Sequence, residues 1–154
     1  MSEVARAELL AFLRAHRYAV EASRAVAGVQ AAVIGIAVLD NFDIVFDTLT
    51  ATRKAQNFLR DPAGALVVGG LSEGEARTVQ IEGVVDQPAG AELVRLQQRY
   101  FEVFPDGRDR LAWPGLIHLR LRPHWMRYSD FRQDPPLIVE LTARDLVAEP
   151  PVTP

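Results

Sequence analysis

The chain has 154 residues, of which 49% are hydrophobic and 24% charged, values that suit one compact domain with a single core. Its formal net charge of -3 argues against a surface built to neutralise many phosphates, so we expect no nucleic-acid partner. The absence of cysteine excludes disulfides, thiolate metal sites and cysteine nucleophiles.

The N-terminal segment predicts a helix and not a leader peptide. Ser2 can cap a run in which apolar residues recur every three or four positions as far as His16, and charged residues interrupt that run throughout. The longest apolar stretch, residues 31–39, is far shorter than the roughly 20 residues that a membrane-spanning helix needs. We therefore expect a cytoplasmic protein that does not contact a membrane.

The following part of the chain is typical of β-strands. Valine, isoleucine and aromatic residues are concentrated at residues 18–23, 29–39 and 42–47. Asp40 and Asn41 separate the last two runs and predict a hairpin connection. A helix is predicted from about Ala51 to residue 61, because its apolar residues share one face, and either Thr50 or Thr52 can cap it.

The second half adds a hairpin, a long helix and a late strand. Strands are predicted at residues 65–71 and 77–86, with a turn at 72–75. Pro88 is expected to open a helix over residues 89–104, which a loop at 105–107 ends. Residues 116–121 alternate as a half-buried strand, which Pro123 should break before it resumes at 125–128. The proline-rich tail, residues 149–154, is expected to fray.

These elements predict a single domain over residues 1–154. Several consecutive strands with a few helices between them, and no regular alternation of strand and helix, favour an antiparallel barrel over a doubly wound parallel sheet. The fold class is therefore mainly β with flanking helices.

The segment most informative about function, residues 46–57, passes from a strand into a helix. Three threonines, at positions 48, 50 and 52, precede Arg53 and Lys54. Backbone N–H groups and the positive end of the helix dipole favour a dianion there, hydroxyls are neutral donors, and the two cations add charge-assisted bonds. The pattern predicts a phosphate site; a capped helix with a solvated cationic face is the alternative.

Other polar residues carry weaker signals. His118, Arg120 and Arg122 share the polar face of the late strand, which can be either an anion site or a salt-bridged surface. Trp113 lies in a Pro-Gly loop and is a candidate for stacking on a ligand ring, with core packing as the alternative for it and for Trp125. The histidines have no metal-ligand spacing and no serine has a nucleophile context, so no metal ligand and no catalytic acid or base is predicted.

Thr48, Thr52, Arg53 and Lys54, followed by residues 55–57 and 61–62, resemble the phosphate-binding element of the pyridoxamine 5'-phosphate oxidase-like flavin-binding split barrels. The order of the opening helix, the two hairpins and the long helix after Pro88 is similar to that family over roughly residues 9–131. The resemblance implies a Greek-key split β-barrel that binds flavin mononucleotide (FMN). It also implies a homodimer with the cofactor at the subunit interface and a small molecule as substrate.

The resemblance further implies how the cofactor is held. Arg53 and Lys54 would neutralise the phosphate, Thr48 and Thr52 would donate hydroxyls, and the flavin ring would meet the backbone of residues 33–36. The cofactor-binding residues implied or suggested in this way are Val33, Ile34, Gly35, Ile36, Asp47, Thr48, Thr52, Arg53, Lys54, Thr78, Gln80 and Trp113. For Thr78 and Gln80, a position on the solvent side of a hairpin is the alternative.

The chain departs from the biosynthetic oxidase of that family. Ala32 and Ala37 stand where the oxidase offers an arginine and a lysine to the flavin, and the residues that hold pyridoxamine phosphate have no counterpart after Arg122. Vitamin B6 synthesis is therefore not expected. We predict a flavin-dependent oxidoreductase of the general-stress-protein or pyridoxamine-oxidase-like group, with an unknown small-molecule substrate. A deazaflavin-dependent reductase, or a non-catalytic flavin- or haem-binding module in which His16 or His124 serves haem, stays open.

Overall fold

A computed structural model describes residues 3–147 of the chain; the predicted cap at Ser2 and the predicted tail at 149–154 lie outside the described residues. None of the helices in this part combines the length and hydrophobicity that crossing a bilayer requires. In chain order the elements are α1 (Glu3–Arg14), β1 (Tyr18–Ala25), β2 (Gly28–Gly35), β3 (Ala37–Val38), β4 (Ile44–Leu49), α2 (Arg53–Arg60), β5 (Ala63–Gly69), β6 (Arg77–Asp86), α3 (Gly90–Val103), α4 (Gly107–Arg110), β7 (Leu116–Asp130), β8 (Leu137–Thr142) and α5 (Ala143–Leu146).

The strands form one antiparallel sheet in the order β2-β1-β5-β6-β7-β4-β3, and β8 adds to β7. The sheet curls until β2 contacts β4, so that its inward side chains enclose a core. Helices flank this half-barrel. The predicted split β-barrel with flanking helices is confirmed.

Two apolar cores result from the alternation of side chains along the strands. The larger core fills the barrel and includes Leu13, Phe46 and Ile81. The smaller core lies on the outer face, where Leu96 and Tyr100 of α3 pack against Val45 of β4. Successive residues of β4 therefore point into different environments, since neighbouring side chains on a strand face opposite sides.

The structure corrects two predictions about strands. The run 29–39 is not one strand: it divides into β2, which pairs with β1, and β3, which pairs with β4. Pro123 does not interrupt β7. It lies opposite Gly83 where the β6–β7 register shifts between Glu82 and Gly83, and a β-bulge accommodates a residue that lacks an amide proton.

Several shorter elements were not predicted. Residues 137–142, for which the sequence pattern indicates no element, form β8, and α4 begins at Gly107 within the predicted loop. Strand β8 has a short apolar stretch that remains largely exposed and pairs with β7 only. A short run of this kind carries no reliable periodicity, so only the pairing partner identifies it as a strand.

Gly83 offers a direct test of the β6–β7 packing. A Cβ atom at this position would clash with the Arg122 carbonyl oxygen and would lie 2.7 Å from Leu121 Cδ2. Because the closer atom belongs to the backbone of a paired strand, Gly83→Ala should lower the free energy of unfolding by about 2 kcal/mol in urea titrations. Unfolding at the wild-type urea midpoint would contradict the close approach.

Candidate functional site

The turn between β4 and α2 is held by backbone and hydroxyl bonds. The Thr50 amide donates to the Gly115 carbonyl at 2.8 Å, and the Thr52 amide donates to the Leu49 carbonyl at 3.0 Å. Thr52 is the N-cap of α2, because its Oγ1 accepts a hydrogen bond from the Ala55 amide at 3.3 Å. Of the two candidate caps, Thr52 is therefore the one used.

The hydroxyl groups of Thr48 and Thr52 contact each other with an Oγ1 to Oγ1 distance of 2.8 Å. The Thr52 hydroxyl donates to the Leu49 carbonyl at 2.9 Å, so the proton between the two hydroxyls comes from Thr48. Both hydroxyl protons are thus engaged within the chain. Their first effect is to fix the geometry of the turn that precedes the helix.

The donors left over at this turn come from the start of α2. Arg53 and Lys54 are its first two residues, and the first amides of a helix have no acceptor inside it. The Arg53 side chain is exposed and the Lys54 side chain is half-buried. Two free amides, two cations and the positive end of a helix dipole form a donor set that fits a phosphate monoester.

Lys54 also acts on a carboxyl group that was not predicted as part of the site. Glu21 of β1 is fully buried, and neither of its oxygens has a hydrogen-bond partner. Burial raises the pKa of Glu21 from 4.5 to about 7, and the positive charge of Lys54 opposes the rise. The only sequence signal was an acidic residue at an inward position of an alternating strand.

Helix α2 covers a polar layer next to this carboxyl group. Asn57 Nδ2 donates to Ser23 Oγ and to Gln30 Oε1, each at 3.0 Å. Ser23 and Asn57 are both buried, so these bonds replace the water that the side chains lose on folding. The start of α2 is thereby anchored on β1 and β2.

Glu21 should make stability depend on pH. Because the folded-state pKa lies above the unfolded value, the stabilising contribution is complete below pH 4.5 and is lost as pH rises through about 7. At about 1.4 kcal/mol per pKa unit, the loss reaches at most about 3 kcal/mol. Relative to wild type, Glu21→Gln should therefore gain stability between pH 5 and pH 8 in urea unfolding. A difference between the two proteins that does not change with pH would contradict this assignment.

Asp47 lies next to Thr48 in sequence but faces the opposite side of the sheet. Its carboxylate accepts hydrogen bonds from the Tyr100 hydroxyl at 2.9 Å and from Arg110 Nε at 2.8 Å, under α3 and α4. Burial and the Asp47 charge raise the pKa of the Tyr100 phenol, which stays protonated. The backbone of Asp47 is part of the turn region, whereas its side chain is engaged elsewhere.

The late polar strand face is a salt-bridged surface, which settles the alternative in favour of ion pairing. Arg120 is buried and donates to both oxygens of Asp86, at 2.9 and 2.6 Å, and also pairs with Glu92. His118 is buried beside α3, and its desolvation lowers its pKa. Helix α3 covers His118 and Arg120, so these two side chains are not open to an anionic ligand, and the exposed Arg122 pairs with Asp86 at 3.3 Å.

The predicted ring-binding backbone lies at the end of β2, which contacts β4, the strand that leads into the turn. Immediately after it, Ala37 pairs with Val45 of β4. The side chains of Ile34 and Ile36 are buried in the barrel core, so only their backbone is available to a ligand. The Val33 side chain is 66% exposed on the outer face.

Trp113 belongs to the same neighbourhood. Its side chain is 54% exposed, which excludes the alternative of core packing. The loop that carries it reaches the turn through the bond between the Gly115 carbonyl and the Thr50 amide. Gly115 has a positive φ of 77°, and a Cβ atom there would lie 2.7 Å from Thr50 Oγ1, so this contact is restricted to glycine.

Thr78 and Gln80 are not brought to the turn within one chain. Both lie on the outer face of β6, where Gln80 pairs with Arg127 of β7. Leu49, at the turn, pairs with Leu116, eleven residues earlier along β7. At a rise of about 3.3 Å per residue, this is roughly 36 Å along the strand. Across the sheet, Gln80 pairs with Val67, Val67 with Val20 and Val20 with Val33, so Gln80 lies three strand spacings, about 14 Å, from the predicted ring-binding backbone of its own chain.

No protein-family model and no curated protein sequence matches the chain. Solved structures with the same fold include an FMN-binding, pyridoxamine 5'-phosphate oxidase-related protein from Nostoc punctiforme, 16% identical with a TM-score of 0.64, where 88% of this chain and 87% of that chain align. A haem-binding protein from Mycobacterium smegmatis is 15% identical with a TM-score of 0.78, where 92% of this chain and 59% of that chain align. The haem storage protein HutZ of Vibrio cholerae is 12% identical, with a TM-score of 0.66 over 76% of this chain and 88% of that chain. This chain therefore spans under two thirds of the mycobacterial protein, and the likeness to these structures shows the fold alone.

Proposed function

We propose that this protein binds FMN, with the phosphate at the start of α2 and the ring along the end of β2. The observation that carries the proposal is the free donor set of Arg53 and Lys54 behind the Thr48 and Thr52 hydroxyl pair. A bound phosphate oxygen would replace the Leu49 carbonyl as the acceptor of the Thr52 hydroxyl hydrogen bond, so this hydroxyl would donate to the ligand only when the anion is bound. Flavin-binding structures of the same fold support this choice of ligand.

The outer face of β2, β1 and β5 supports a homodimer as the working form. Tyr18, Val29, Val33 and Val67 form an apolar surface on this face, and Val29 and Val33 are 84% and 66% exposed. Contiguous apolar surface on an edge of a sheet is typical of a protein interface. We propose that a second copy covers it, which accounts for a β2 strand that is apolar on both faces.

Dimerisation would complete the cofactor site. Thr78 and Gln80 lie far along the sheet from the turn of their own chain, and Gln80 is about 14 Å across the sheet from Val33. We propose that the partner's Gln80 makes the contact with the ring. When bound, the flavin supplies the redox chemistry, and the chain supplies phosphate binding, ring orientation and a shaped pocket for a small substrate. Ala32 and Ala37 offer no cation to the ring, which leaves the contact there to the backbone.

The phosphate site is tested by removing its two cations. Arg53→Ala/Lys54→Ala should weaken FMN binding by at least about 100-fold, because two charge-assisted hydrogen bonds contribute roughly 3 kcal/mol together. The measurement is a titration with FMN, followed by the quenching of flavin fluorescence and by the paired near-ultraviolet and blue absorption bands. A parallel titration with a deazaflavin coenzyme identifies which of the two cofactors binds more tightly.

The matched control is Arg60→Ala/Arg95→Ala. It also removes two positive charges, one at the end of α2 and one on the exposed face of α3. This double variant should change FMN affinity less than about twofold. An equal loss of FMN affinity in both double variants would show that overall charge, and not a site at Arg53 and Lys54, determines binding. Wild-type protein that takes up no FMN in excess would overturn the proposal. Bleaching of bound flavin by reduced nicotinamide separates an oxidoreductase from a binding module.

Haem is the second candidate, because two structures with the same fold are haem proteins. Of the three histidines, all within the described residues, His16 is engaged with the Phe12 carbonyl at 2.8 Å and with Glu75 at 3.3 Å, and His118 is buried. His124 is exposed beside a groove on the outer sheet face. A haem titration of wild type and His124→Ala tests haem binding. If His124 binds haem, the Soret band shifts with the wild-type protein and does not shift with the variant.

The dimer is tested by placing a charge on the apolar face. Val33→Glu should convert a dimer to a monomer in analytical ultracentrifugation at micromolar concentration, because an unpaired carboxylate would be buried at the interface. Val94→Glu, on a 53% exposed position of α3, is the control and should leave the mass unchanged. A wild-type protein that sediments as a monomer with FMN bound would refute the interface.

A further inference from the structure

A cavity of about 800 Å³ lies between α1 and the β7–β8 hairpin, at the end of the barrel remote from the phosphate turn. We call it the α1–β8 pocket. Tyr128 lines it, whereas Leu116 at the other end of β7 pairs with Leu49 of the turn. Tyr128 lies twelve positions after Leu116, which corresponds to about 40 Å measured along the strand. The volume lies in the range of about 300–1,000 Å³ that is usual for small-molecule sites.

The walls of the pocket are apolar but do not meet. Leu9 and Phe12 of α1 are buried at one side, and Val139 and Leu141 of β8 lie at the other. Small residues on the facing side of α1, Ala11 and Ala15, leave the space between helix and strand unfilled. Val139 therefore remains 38% exposed although it faces the helix. An apolar ligand body would bury these side chains, which gives the pocket a favourable occupant.

The polar groups are gathered at one end. Asp130 and Arg132 form a closed pair, in which Arg132 Nε and Nη2 donate to the carboxylate at 2.8 and 2.6 Å. Arg77 is different: its guanidinium lies 4.8 Å from the centre of the Phe12 ring, and its one ion contact within residues 3–147 is Nε to Glu75 at 3.5 Å. Most of its five N–H donors are therefore available to a ligand.

The charges around Arg77 limit what that ligand can be. Glu75 also faces His16 at 3.3 Å, and Glu8 lies at the rim, so a head group with several negative charges would be repelled. A single carboxylate suits one guanidinium that has free donors. The apolar walls account for the rest of the molecule.

We propose that the α1–β8 pocket binds an amphiphilic monoanion of the fatty-acid class, with its carboxylate at Arg77 and its chain between Phe12 and Val139. The site is independent of the FMN proposal, since none of its residues belongs to the turn. Its ligand could be a substrate, a product or an effector of the protein, and the binding itself is what the structure assigns.

The test uses purified full-length protein with dodecanoate below its micelle concentration, followed by calorimetry and by displacement of an anilinonaphthalene sulfonate probe. Val139→Glu should weaken dodecanoate binding at least tenfold. The matched control is Ile138→Glu, since Ile138 is the next residue of β8, is 45% exposed and points to the other side of the strand. It should bind dodecanoate within twofold of wild type.

A second arm separates the head group from the chain. Dodecanol, the neutral analogue, should bind wild type at least tenfold more weakly than dodecanoate, and Arg77→Met should abolish that preference while leaving dodecanol affinity within twofold. Thermal unfolding of each variant checks that the fold is kept. Absence of dodecanoate binding to wild type, equal binding by the Val139→Glu and Ile138→Glu variants, or a carboxylate preference that survives Arg77→Met would each overturn the proposal.

Discussion

Strand β7 determines where the rest of the molecule lies. Residues 116–121 pair with β4, residues 125–130 pair with β8, and β6 runs alongside most of the strand. The register between β6 and this 15-residue strand shifts where Pro123 faces Gly83. The start of β7 positions the turn before α2, and its end forms a wall of the α1–β8 pocket. The turn before α2 and the α1–β8 pocket are therefore held apart because they lie at opposite ends of the same strand.

Helix α2 links the chemistry of the turn to the stability of the barrel. Its buried Asn57 binds Ser23 and Gln30, while its first residues present free amides and cations to an anion. Lys54 takes part in both, because its charge favours the ionised form of the buried Glu21. A phosphate and the Glu21 carboxylate would therefore compete for one cation, and occupation of the turn would further favour the protonated form of Glu21.

The sequence could predict the features that depend on local physics. A helix near residues 51–61, a cap at Thr50 or Thr52 and the β6 boundaries require only neighbouring residues. The structure has the helix at Arg53–Arg60 with Thr52 as its cap, and β6 at Arg77–Asp86. It could not predict features that depend on which strands pair. The outward side of Asp47, the continuity of β7 through Pro123 and the existence of β8 follow from partners that are distant in sequence. Burial of an unpartnered Glu21 is likewise visible only once α2 is in place.

The most direct test of the central claim is a crystal structure of the protein with FMN. We expect the phosphate within hydrogen-bonding distance of the amides of Arg53 and Lys54, with the ring along residues 33–36 and the partner's Gln80 within reach of it. A phosphate bound anywhere else, or a flavin held entirely by one chain far from the start of α2, would show that this site assignment is wrong.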